Sequence, residues 1–154
     1  MDVRPLRADE WQLKRDLRLA ALRDSPAAFA STYARESHRS EADWRTWPAG
    51  GAFFTAFAAL DEPVGIAGAW VAAADPGTAH LIGMWVVPAA RGCGVAAGLV
   101  DAAAGWARDR GHAAVELEVA PGNTAAMSAY VRCGFEVTQR EPFTTGGTVL
   151  VLPV

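Results

Sequence analysis

The 154-residue chain has room for one domain and little more. Seventeen acidic against fourteen basic residues leave a net charge of −3, which argues against a protein built to grip a polyphosphate backbone. A hydrophobic content of 51% fits neither disorder nor a fibrous repeat. Thirty-three alanines inflate that figure, and Lys14 is the one lysine beside thirteen arginines, so the core has to come from a smaller set of larger side chains. Residues 1–10 carry Asp2, Arg4, Arg7, Asp9 and Glu10 in place of an apolar leader, and no apolar run has bilayer length. With only Cys93 and Cys133, this points to a cytoplasmic chain with reduced thiols and no membrane or nucleic-acid partner. His38, His80 and His112 are scattered, and no metal site is expected.

In chain order, residues 3–6 read as an opening strand, and Asp9 as the cap of a helix reaching about Arg23. Its apolar stripe is Leu13, Leu17, Ala20, Ala21 and Leu22, which leaves Lys14, Arg15, Asp16 and Arg18 solvated. Ser25-Pro26 breaks that helix, and a second helical stretch with Phe29, Tyr33, Trp44 and Trp47 ends at Pro48-Ala49-Gly50-Gly51. Residues 52–60, 64–73 and 78–87 are three strands joined by short turns and therefore antiparallel. The period then switches to 3.6, with Val95, Leu99, Ala103 and Trp106 on one face of a helix that starts near Gly92 and closes at Arg108, Arg110 and Gly111. Residues 113–119 form a strand, 123–132 a short helix, and 135–140 with 148–152 the last two strands. The order β-α-α-β-β-β-α-β-α-β-β predicts an α/β fold (α+β mixed) over residues 1–154, with a mostly antiparallel sheet of six to seven strands, about four helices and one parallel βαβ crossover.

The richest stretch is residues 88–98, where a strand enters and a helix leaves through Gly92, Gly94 and small neighbours. The first amides of a helix lack intrahelical partners and the dipole makes that end positive, so such a turn seats phosphate oxygens; as a bland alternative it is a tight connection. A Walker-type loop would need a lysine, and none is present in the turn. Gly92-x-Gly94-x-x-Ala97 meets the relaxed dinucleotide fingerprint, but that fingerprint opens repeated βαβ folds and here it follows hairpins.

Arg91-x-x-Gly94-x-Ala96 resembles the coenzyme A pyrophosphate signature of the Gcn5-related N-acetyltransferase (GNAT) family. Met84-Trp85-Val86-Val87-Pro88 precedes it and Asn123-x-x-Ala126-x-x-x-Tyr130-x-x-x-Gly134-Phe135 follows, in the family's order. The resemblance implies that the main chain of Met84, Trp85 and Val86 holds the pantetheine arm. It further implies that Arg91, Gly92, Cys93, Gly94, Val95, Ala96 and Ala97 form the pyrophosphate seat, with Cys93 as a small filler. Asn123 and Tyr130 are seven residues apart and return to nearly one helical face. Read alone they are an N-cap and a packed ring; by resemblance Asn123 binds the coenzyme arm and Tyr130 protonates the departing thiolate.

An amine acceptor must lose a proton to attack a thioester. Glu118 stands where the resemblance to bacterial ribosomal-protein N-terminal acetyltransferases puts a base, although alternation with Val115, Leu117 and Val119 also makes it a solvent-facing strand residue. His80, at the start of a strand, is the competing base or a structural histidine. The implied activity is acetyl-CoA-dependent transfer to an amine, small molecule or peptide, with room for a homodimer. The alternative is a non-catalytic acyl-CoA-binding module on the same fold. Asp24, Phe29, Tyr33, Glu36, Trp44 and Trp47 lie on the acceptor side, where aromatics beside acids suit a small cationic amine but serve equally as core.

Overall fold

A computed structural model describes residues 1–154. Seven strands form one sheet: β1 (Asp2–Pro5), β2 (Ala52–Phe57), β3 (Pro63–Ala72), β4 (Asp75–Val86), β5 (Ala114–Val119), β6 (Glu136–Val137) and β7 (Thr148–Pro153). Their order is β1-β2-β3-β4-β5-β7-β6, and only the β4–β5 pair is parallel. The helices are α1 (Trp11–Asp24), α2 (Tyr33–Glu36), α3 (Glu41–Thr46), α4 (Val95–Asp109) and α5 (Thr124–Arg132). None is long and apolar enough to cross a membrane.

Both faces of the sheet are covered, so neighbouring strand residues are buried in opposite directions. Phe54 joins the main core with Leu99, Val100, Leu117 and Leu150 under α4, while Phe53 packs on the other face with Ala21, Ile66 and Trp85 under α1. Full burial of a side chain such as Leu99 stabilises the fold by about 1.5–3 kcal/mol. Trp106, at the margin of the α4 stripe, sets its ring edge-on against Phe54 at 6.1 Å.

Four expectations are corrected. Asp9 does not cap α1, because a single 3-10 turn (Ala8–Glu10) precedes the helix and Asp9 pairs with Arg7. The second helical stretch divides into α2 and α3, each started by a hydroxyl cap, Thr32 and Ser40, which makes five helices. The strand expected over 135–140 shortens to Glu136–Val137. Lys14 and Arg18 are buried, at 4% and 6% exposure.

Glu10 fastens β1 to the start of α1 through two hydrogen bonds from Arg4, at 2.8 and 3.0 Å. The Arg4 guanidinium, and after it the Arg7 backbone N–H, hold the Glu10 carboxyl down at about 2 against the pull of partial burial. A depressed carboxylate stabilises the native state above its unfolded value of 4.5 and loses that contribution as pH falls towards 2. Glu10→Gln is therefore expected to cost about 0.5–1 kcal/mol at pH 7, with partial exposure limiting the size, and to match wild type near pH 2 in denaturant titrations.

Candidate active site

The parallel pair of β4 and β5 is short. Thr78, Ala79 and His80 face Ala114, Val115 and Glu116, and pairing stops there although β4 runs on to Val86. Beyond His80 the β4 edge has no strand beside it. On its other side β4 stays on β3, but the register slips between Ile66/Gly68, opposite Trp85/Ile82. Gly83 lies in this slip at φ +62, a left-handed conformation that other residues adopt with strain. The Val87 N–H donates to Val64 O across β3. Alternation from that bond turns the main-chain groups of Trp85 toward β3 and those of Met84 and Val86 toward the open edge.

At the end of this edge lies the glycine turn. Gly92 and Gly94 have φ +76 and +82, and Gly94 is the N-cap of α4, which begins at Val95 and not at Gly92. Among turn and cap hydrogen bonds none uses an amide from residues 92–97 as donor; the first is Gly98 N–H to Gly94 O, at 3.1 Å. A Cβ added to Gly92 or Gly94 would meet nothing within 4 Å. The seat is thus open and lined by unpartnered N–H groups at the positive end of a 15-residue helix.

The Arg91 side chain faces away from that seat. Its Nε donates to Val86 O and its Nη2 to Asp24 Oδ2, both at 3.0 Å. The same Asp24 oxygen accepts the Trp85 indole N–H at 3.0 Å and the Ser25 hydroxyl at 2.8 Å. The Trp85 bond, then Ser25 and Arg91, hold the Asp24 carboxyl below its ordinary value. Asp24 therefore pins the C-terminus of α1 to β4 and to the turn. Sequence reading placed it among acceptor-side residues without this role, because its partners lie 61 and 67 positions away.

His80 and Glu118 line one cavity of about 140 Å³ with Trp70, Glu116 and Phe143. The His80 ring stacks on Trp70 at 4.4 Å. Glu118 is engaged: Oε1 accepts the Phe143 N–H at 2.5 Å and Oε2 the Thr144 N–H at 3.1 Å, fastening the loop before β7. Asn123 takes the N-cap role at α5, its Oδ1 accepting the Ala126 N–H at 3.2 Å, and it lines a second cavity of about 280 Å³ with Gly122, Met127 and Gly146. Tyr130 packs edge-on against Phe135 at 5.7 Å. Burial, and secondarily Cys133, push its phenol up to about 12.

Over the opposite face of β4, the Arg18 Nε and Nη2 donate to the two oxygens of Glu36 at 2.8 and 2.9 Å. Glu36 is fully buried, so of the two readings left open for this cluster, Glu36 takes the core role and offers no free charge to a cationic acceptor. Lys14 donates to Trp44 O and Trp47 O at 2.6 and 2.5 Å, bracing α1 on α3. Gly83 had a legible signal, an isolated glycine inside a strand. Arg18 had none within its own helix, since its partner stands 18 residues on.

No curated protein matches the chain. Solved structures share its fold. The GNAT domain of S. lividans PAT has TM-score 0.77 and 20% identity, covering 99% of this chain and 89% of that one. A GNAT-family acetyltransferase from Staphylococcus aureus has TM-score 0.75 and 14% identity over 99% and 98%. The PaiA N-acetyltransferase of Thermoplasma acidophilum, solved with coenzyme A, has TM-score 0.74 and 16% identity over 99% and 98%. A family model described as acetyltransferase (GNAT) family matches residues 16–135, most of the chain and the whole of the split strand pair, the glycine turn and α5: this protein belongs to the GNAT acetyltransferase family.

Proposed function

We propose that the chain is an acetyl-CoA-dependent N-acetyltransferase that passes the acetyl group to a primary amine by direct attack in a ternary complex. The observation carrying this reading is the meeting of two backbone features, an unpaired β4 edge and, at its end, a helix-starting turn with free amides. The pantetheine arm lies along Met84 and Val86 as a surrogate strand, and the pyrophosphate sits on the N–H groups of Gly92 to Ala97. Trp85 contributes through its indole bond to Asp24, and Arg91 by holding the turn against Val86 O. A seat made of backbone amides needs no basic surface, in keeping with a net charge of −3. Asn123 keeps its side-chain NH₂ free for the coenzyme arm while its oxygen caps α5.

The Val86 amide polarises the acetyl oxygen, Tyr130 gives its proton to the thiolate as the C–S bond breaks, and Glu118 accepts the amine proton. Each Glu118 oxygen retains a lone pair beyond the loop N–H that it accepts. Glu118→Gln is expected to lower kcat by about 10²-fold and to flatten the acid limb of the pH–rate profile. A wild-type profile would move the base to His80, across the same cavity, or to water.

The test is release of free thiol from acetyl-CoA against a panel of amines, alongside thermal denaturation. At a hundredfold excess over Kd, acetyl-CoA is expected to stabilise the fold by about 2.7 kcal/mol, raising Tm by roughly 5–10 °C. No shift would sink the reading. Engagement of both Glu118 oxygens by loop amides favours the second reading, an acyl-CoA-binding module. Stabilisation without amine-dependent thiol release would select it.

A further inference from the structure

We propose that the acceptor amine carries a carboxylate, and that Arg18 and Arg39 are the groups that receive it. The proposal deepens the acetyltransferase reading and rests on it. The chain is acidic as a whole, yet residues 11–39, spanning α1 and α2, hold six basic residues against three acidic. Within this layer Glu36 is the one fully buried acid, and two guanidiniums share it: Arg18 in a two-pronged pair, and Arg39 with Nη1 at 3.6 Å.

Two guanidiniums on one carboxylate leave a surplus positive charge and unused N–H groups. Arg18 Nη1 is buried without a hydrogen-bond partner, and so is Trp44 Nε1, while Arg39 Nη1 and Ser31 Oγ are directed at Glu36. A buried donor left unsatisfied costs about 1–3 kcal/mol, more when charged, so the charged Arg18 Nη1 is the group in this layer that gains most from a further acceptor. The planar fork fixes where Arg18 points. Its Nε–Nη2 edge is filled by Glu36, so Nη1 projects from the opposite corner, 2.6 Å from where a Cβ on Gly83 would stand. That corner abuts the β4 slip next to Met84, over which the amine has to reach the thioester.

Aromatic rings hold both guanidiniums, Phe29 and Trp47 against Arg18 at 4.8 and 5.1 Å, Trp44 and Trp47 against Arg39 at 5.2 and 5.0 Å. Held in this way, the two cations repel a second cation, and Arg18 keeps one donor, Nη1, for a carboxylate oxygen. Arg18 Nη1 is sealed in this arrangement. The carboxylate therefore reaches it with movement of the segment between α1 and α3, which is built only of a single 3-10 turn, Pro26–Ala28, and the four-residue α2.

Thiol release from acetyl-CoA is compared for the common amino acids, their C-terminal amides and a series of diamines, in wild type and in Arg39→Gln. Calorimetric titration of the same amino acids measures binding without turnover, and acetyl-CoA affinity reports that the variant is folded. Free carboxylates are expected to exceed their amides by about tenfold or more in kcat/KM, and Arg39→Gln to reduce that advantage to about twofold or less. Equal rates for acid and amide, or preference for diamines, overturn the proposal. Should no amine release thiol, amino-acid binding that is lost in Arg39→Gln would retain the carboxylate site and reject acetyl transfer. Absence of such binding would reject the site.

Discussion

Tyr130→Phe is expected to lower kcat by about 10²- to 10³-fold while the dissociation constant for acetyl-CoA changes by less than about twofold. The expectation follows from where the ring sits. Phenylalanine keeps the edge-on contact with Phe135 and the packing against the main core, so the substitution removes the hydroxyl and little else. Burial pushes the phenol from 10.0 up to about 12, so Tyr130 keeps its proton throughout the working range, and in the proposed reaction it would give that proton up only as negative charge develops on sulfur. The same shift has a stability consequence. The native state favours the neutral phenol, a contribution that is complete below pH 10 and is lost as pH rises through about 12. Phenolate absorbance titration of wild type should therefore contain a late step near pH 12, accompanied by alkaline unfolding, that Tyr130→Phe lacks. Unchanged turnover would remove Tyr130 from the mechanism, and the coenzyme dissociation constant separates that outcome from a damaged seat.

The parts of the fold legible in the sequence are those written in local code. The strand-to-helix turn was readable because glycines at 92 and 94 and the absence of bulk are themselves the device, and the parallel crossover followed from the order of periods around them. For Asn123 and Tyr130 the local reading, an N-cap and a packed ring, is what the fold shows. Asn123 then fills its local and its proposed role with different atoms, the oxygen for the cap and the NH₂ for a ligand.

What stayed hidden depends on partners distant in sequence. Helical periodicity assigns charged side chains to solvent, and it misplaced Lys14 and Arg18 because their partners, the carbonyls of Trp44 and Trp47 and the carboxylate of Glu36, arrive 18 to 33 residues later. Asp24 acquires its meaning only when α1 folds back on β4. Glu118 illustrates the remaining gap. Alternation placed it correctly on the polar face of β5, but the loop that donates two N–H groups to it has no regular structure to predict.

Arg18→Met is expected to destabilise the protein by about 3–5 kcal/mol, a large part of the total of a domain this size, and to lower Tm by roughly 10 °C or more. Glu36 would then be a fully buried carboxylate with Arg39 at 3.6 Å as its nearest cation. In the native protein burial pulls the Glu36 carboxyl up, but the hydrogen bonds and charge of Arg18, with help from Ser31 and Arg39, outweigh it and the net displacement is downward. That depressed value stabilises the wild type above the unfolded value of 4.5 and fades as pH falls below it. In Arg18→Met the burial acts almost unopposed, so Glu36 takes up a proton at higher pH and the charge that destabilises the variant disappears. The gap between wild type and variant, measured by urea denaturation, should accordingly be widest near neutrality and narrow toward pH 4. Replacing both partners, Arg18→Met with Glu36→Leu, removes donor and charge together and should recover most of the loss. A gap that stays constant with pH, or a double variant no more stable than the single, would mean that Arg18 acts through its packing against Phe29 and Trp47 and not through Glu36.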